Sequence, residues 1–202
     1  MALSYPIAFP TTVNTKHIKW NAQSLVAMST SPFTGTQEVV SHQGKWFEID
    51  ITLPVMTRAQ AEDFVGFLLA MNGSRGTFTF GDPDGTTPRG TALGTPLVNG
   101  GSQTGTTLIT DGWTISQANL LKRGDWIQLG SYAYKIVQDA SSDGSGNATL
   151  EIFPNLRSSP SNNAAITISN TTSLWRLTNN QVQWDIDDLT HYNVTISARE
   201  AL

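Results

Sequence analysis

Between Trp46 and Leu53 apolar and polar side chains alternate without a break. Phe47, Ile49, Ile51 and Leu53 share one face; Trp46, Glu48, Asp50 and Thr52 share the other. A period of two predicts a half-buried strand, and Pro54 ends it because proline cannot donate to a ladder. The period then changes. Ala61, Phe64, Val65, Leu68 and Leu69 recur at helical spacing and predict one amphipathic helix from Thr57 to Met71. Thr57 with Gln60 three residues on forms a capping box, and Asn72-Gly73 supplies a left-handed exit. Gly76-Thr-Phe-Thr-Phe80 follows as a strand, closed by the turn Asp82-Pro-Asp-Gly85.

The strands return in strength only near the other end. Val182, Trp184 and Ile186 alternate, as do Tyr192, Val194, Ile196 and Ala198. The first 35 residues hold two short strand candidates, His17–Trp20 and Leu25–Met28. From Pro83 to Ser173 the character differs. Gly85 to Gly112 is rich in Gly and Thr with little periodicity. Trp126–Leu129 and Tyr132–Val137 flank Gly130-Ser131 and read as a hairpin, and Ala148–Phe153 and Ala165–Ile168 read as further strands. Several short strands with turn signals between them predict a small barrel, OB-like or SH3-like. The expected fold is therefore mainly β: a β-sandwich with one packed α-helix, made by 1–82 and 174–202, and a small β-barrel inserted at 83–173.

Composition sharpens this picture. Only 14% of the 202 residues are charged, and polarity comes instead from 26 Thr and 18 Ser. Thr suits a pleated surface, and low charge also fits a subunit whose surface is covered by neighbours. The net charge of −4 comes without a Lys/Arg cluster, which argues against nucleic-acid binding. There is no Cys, so disulfide and thiolate chemistry are excluded. No apolar run approaches a membrane span, and no secretory leader is expected from the first residues. The sequons at Asn72, Asn147, Asn170 and Asn193 then carry little weight.

Several segments imitate functional motifs. Gly100-Gly-Ser-Gln-Thr-Gly105-Thr-Thr107 has phosphate-loop spacing, but Thr106 stands where the Lys is needed and no helix follows to receive the anion. Ser141 to Ile152 echoes a calcium loop through Asp143, Ser145, Gly146 and Asn147, yet the first position is Ser141 and the last is Ile152 in place of a bidentate Glu. A polar turn is the expectation there. Asp185, Asp187, Asp188 and His191 are close in sequence, and a solvated strand face followed by a turn accounts for them. His17 and His42 are isolated, and no Gly-x-Ser-x-Gly elbow marks a nucleophile. Trp113, Trp126, Tyr132 and Tyr134 lie in the inserted segment. Exposed aromatics on a small barrel stack on sugars or bases, whereas buried ones form its core, the commoner case. No catalytic, cofactor or metal residues are expected.

A resemblance joins these pieces. Gly44-Lys-Trp-Phe-Glu-Ile-Asp-Ile-Thr-Leu-Pro54, the helix end Phe67-Leu-Leu-Ala-Met-Asn-Gly73, and Gly76-Thr-Phe-Thr-Phe-Gly-Asp-Pro-Asp-Gly85 resemble the tail-tip proteins of long-tailed (siphovirus-type) bacteriophages. So do Leu121-Lys-Arg-Gly-Asp-Trp-Ile-Gln-Leu-Gly130, Tyr134-Lys-Ile-Val-Gln-Asp139, Asp143-Gly-Ser-Gly-Asn-Ala-Thr149 and Pro154-Asn-Leu-Arg157. The order of strand, helix, Gly-x-Phe strand and Asp-Pro turn is similar to distal tail proteins and related minor tail proteins, and the resemblance covers most of the chain from about Thr36 onward. The resemblance implies a virion protein with no catalysis. It implies a homo-oligomeric ring, commonly a hexamer, that joins the tail tube protein to the tail hub and other minor tail proteins of the baseplate. Its sandwich would form the ring and its small barrel would sit outside. Longer members add a large C-terminal receptor- or sugar-binding domain that these residues do not contain. The alternative expectation is a carbohydrate-binding module that contacts the host surface through the inserted barrel.

Overall fold

The computed structural model describes residues 3–186 and 191–202. In chain order its elements are β1 (Ile7–Ala8), β2 (His17–Thr30), β3 (Gln37–Thr52), α1 (Arg58–Met71), β4 (Phe78–Phe80), β5 (Gly94–Val98), β6 (Thr107–Trp113), β7 (Trp126–Leu129), β8 (Tyr132–Ile136), β9 (Ala148–Phe153), β10 (Ile166–Thr167), β11 (Ser173–Leu177), β12 (Asp185–Ile186), β13 (Tyr192–Asn193) and β14 (Thr195–Glu200). The protein is mainly β, with one α-helix, a sandwich body and a small barrel.

The body is built on a six-stranded sheet in the order β1-β4-β11-β14-β3-β2. All neighbours are antiparallel except β1 and β4. Its inner face follows the alternation: Phe47, Ile49, Ile51 and Leu53 are buried, as are Val194, Ile196 and Ala198 near the end of the chain. The opposite face stays polar; Ser197 Oγ hydrogen-bonds Asp50 Oδ1 at 2.6 Å, and the Arg199 guanidinium lies 4.0 Å over the Trp46 ring. Helix α1 covers the inner face with Ala61, Phe64, Val65, Phe67, Leu68 and Met71. Gln60 Oε1 accepts the Thr57 N–H at 3.1 Å at its start, and Asn72 closes it with φ +50°. Leu69, assigned to the buried stripe from spacing, is exposed instead, and Phe67 and Met71 take its place. The real stripe is therefore turned toward Phe78, whose ring meets Phe67 edge-on at 5.5 Å.

Strands β5 to β10 form the second sheet, in the order β10-β7-β8-β9-β6-β5. It closes on itself where β5 meets the residues before β10: Val98 N–H donates to Ala164 O and Asn163 N–H to Val98 O, both at 2.9 Å. Strands β5 and β6 fall within the stretch in which no period was visible. Gly94, Pro96 and Gly112 interrupt their alternation, and the ladder tolerates this through a register shift between Gly94 and Leu97.

The two halves share a core. Trp126 and Phe153 come from the barrel, and Trp20, Phe47 and Trp175 from the body; Trp126 lies 5.2 Å from both Trp20 and Phe47, and Phe153 lies 5.1 Å from Phe47. Below them Arg157 pairs with Glu200 and donates to the Lys45 carbonyl at 2.7 Å, while Glu200 also accepts the Phe47 N–H at 3.3 Å. The connections into and out of the barrel touch at Gly81, where an added Cβ would lie 2.0 Å from the Thr171 carbonyl oxygen.

Two glycine substitutions should therefore act with opposite sign. Gly81→Ala must separate the two connections and is expected to cost about 1–3 kcal/mol by overpacking. Gly66→Ala sits on the exposed side of α1 with nothing near its new methyl, and should stabilise by about 0.5–1 kcal/mol. Urea unfolding of both variants beside the parent checks the pair, and equal effects would contradict the packing described at Gly81.

Candidate functional site

The most unusual feature is a two-stranded arm. Strand β3 pairs with β14 only from Glu48 to Thr52, whereas its pairing with β2 continues out to Gln37. Strand β2 is the sheet edge and has no partner on its other side among the described residues. From Ala22 to Phe47 the hairpin therefore leaves the sheet without a third strand, and extends for roughly 30 Å at the usual rise per residue. A tight turn closes it: Ser31 N–H donates to Thr36 O at 2.9 Å, Gly35 N–H donates to Ser31 O at 3.0 Å, and Gly35 takes φ +71°. Between Ser24 and Val26 the register shifts by two residues of β3, a bulge that re-aims the arm.

The arm carries apolar side chains on both faces. Val26 and Met28 pair with Ser41 and Val39 on one side, and Ala27 pairs with Val40 on the other. Leu25, Val26, Met28, Val39 and Val40 are each about half exposed or more, and Phe33 at the tip is 96% exposed. Between Ala22 and Gln43 there is a single carboxylate, Glu38, and no Lys or Arg. An isolated two-stranded hairpin is marginal in water, and an uncharged, apolar edge strand is a template for association. The two short strands expected at His17–Trp20 and Leu25–Met28 are one strand, β2, and the outer part of β3, from Gln37 to Lys45, was not expected from the sequence; Leu25-Val26 and Val39-Val40 place apolar residues side by side, which breaks a period of two. That doubling was the available signal: it marks a ribbon with apolar residues on both faces and no wholly polar one.

At the root of β2 lies an open groove of about 550 Å³. Residues 9–16 cross from β1 to β2 over the inner face of the sheet and form its wall with Ile18, Trp20 and Phe80. Phe9 anchors this crossing, with edge contacts to Phe64 at 5.5 Å and Phe80 at 4.9 Å. Lys16, His17, Asp82 and Asp84 supply polar lining. Asp82 is already engaged, accepting from Asp84 N–H at 3.1 Å and from Trp126 Nε1 at 2.9 Å.

The motif-like segments have structural explanations. In 100–107 the Gln103 side chain fills the loop, donating to Asn99, Gly100 and Ile109 carbonyls and accepting the Ile109 N–H at 2.7 Å, and β6 follows directly. In the calcium-like segment Asp143 accepts from Ser145 N–H and Asn147 N–H, each at 2.8 Å, and from Asn147 Nδ2. These bonds, led by those from Asn147, hold its carboxyl below the ordinary range, and the flanking elements are strands β8 and β9. Asp185 lies on β12 and His191 just before β13, while Asp187 and Asp188 fall outside the described residues. His42 lies on the arm and His17 at its root. Among the described residues no group of three or more His, Asp or Glu is arranged to hold a metal ion, and no helix is long and apolar enough to cross a membrane.

The aromatics of the barrel are inward. Trp113 is buried with its Nε1 donating to Thr110 Oγ1 at 2.8 Å, and Trp126 is the buried centre of the junction. Tyr134 is buried, its hydroxyl accepts the Arg157 N–H at 3.0 Å, and burial pushes its pKa up. Tyr132 alone of the four is partly open. Nearby, Asp125 organises the barrel mouth. Its side chain is almost fully buried and accepts the N–H groups of Arg89, Gly90 and Lys122 at 2.8–3.1 Å and Arg89 Nε at 3.2 Å. Burial alone would raise its pKa; the four donors outweigh that and lower it.

No protein-family model matches the chain, and no curated protein sequence matches it.

Asp125→Asn would turn an amide NH₂ toward buried N–H donors and is expected to cost about 1–3 kcal/mol for the group left unpaired. Because the folded pKa is lowered, the carboxylate's contribution is fully present above the ordinary range and is lost as pH falls through the folded value. The stability gap between parent and variant should be widest near neutrality and shrink in strong acid. Denaturant titrations at several pH values test this, and a gap independent of pH would refute the assignment.

Proposed function

We propose that this protein is a structural subunit of the tail tip of a long-tailed bacteriophage, a ring that joins the tail tube to the central hub. The observation that carries the reading is the arm. A ribbon with apolar residues on both faces and, between Ala22 and Gln43, a single charged side chain calls for a cover, and nothing among the described residues covers it. An arm that seats on a different surface of the next copy makes a head-to-tail contact. Such contacts close into a ring or run on as a fibre. The mainly β body, the low charge and the resemblance of Gly44–Pro54 and Gly76–Gly85 to distal tail proteins support the closed form. The role is one of assembly; tube and hub are the partners, and the virion is the location.

A glycan-binding barrel is the weaker reading. Trp113 and Trp126, the residues that motivated it, are 4% exposed each and have their indole N–H groups already bonded.

Native mass spectra of the purified protein, with negative-stain images, test the ring. The expected result is a closed assembly of about six copies around an open lumen. A strict monomer at high concentration that also fails to bind tube ends would overturn the proposal.

A further inference from the structure

We draw no further inference here: the strongest candidate, the open groove at the root of β2, is lined about equally by apolar side chains and by polar groups of both charges, with Lys16 beside Asp82 and Asp84, and nothing in the structure shows what it would hold.

Discussion

The arrangement of this molecule depends on the aromatic junction around Trp126. Trp126 belongs by sequence to the inserted barrel and by contact to the core of the body, with Trp20 and Phe47 each 5.2 Å away. Large aromatic side chains bury more area than any others. A junction made of several of them converts an insertion into part of one folded body. Its polar atoms are also satisfied: Trp126 donates to Asp82 at one end of the insertion, and Trp175 Nε1 donates to the Phe80 carbonyl at 2.9 Å on the neighbouring strand. Lys135 Nζ lies 4.3 Å over the outer face of Trp126 and closes the cluster from the barrel side.

Much of this was legible in the chain, and the reasons are specific. The strand 46–53 and the helix 57–71 each have one buried face, so their periods of two and 3.6 appear directly in the residues. The inward positions of β14 were read the same way down to Ala198; the buried Glu200 that continues the face could not be read, because a carboxylate in that register is tolerated only by its partner Arg157, 43 residues earlier. Leu69 and Phe67 exchanged roles because both lie near the edge of the helical stripe and the choice was made by Phe9 and Phe78, which sequence spacing cannot position. Val182, Trp184 and Ile186 alternate as a strand would, yet only Asp185 and Ile186 pair, and Trp184 and Ile186 remain largely open.

The candidate site was the least legible part, for a physical reason. Period arguments assume one wet face and one dry face, and both faces of the arm are open to solvent and partly apolar. Its apolar residues point to both sides, so it reads as fragments. The groove is assembled from the crossing segment 9–16, three residues of β2, Phe80 and the turn at Asp82–Asp84, and none of these has a distinctive pattern. The motifs that did stand out, 100–107 and 141–152, turned out to be loops running into strands β6 and β9, with polar side chains bonded to their own backbone. Gln103 and Asp143 each satisfy several loop groups, which is why such residues recur in turns.

The buried ion pair links the junction to the arm. Arg157 and Glu200 are nearly inaccessible, and burying two charges is favourable only when their remaining hydrogen-bond groups are met. Here they are met by the backbone of the arm's root: the Lys45 carbonyl accepts from Arg157 and the Phe47 N–H donates to Glu200. The barrel thus grips the strand at the point where it leaves the sheet. The pair adds little net stability over an apolar substitute, but it fixes the direction in which the arm departs. A ribbon free to pivot would lose that freedom on association, at a cost that subtracts directly from affinity. In the proposed ring, an arm already aimed by the body it springs from would avoid much of that loss, and the inserted barrel would serve assembly by holding another element in place.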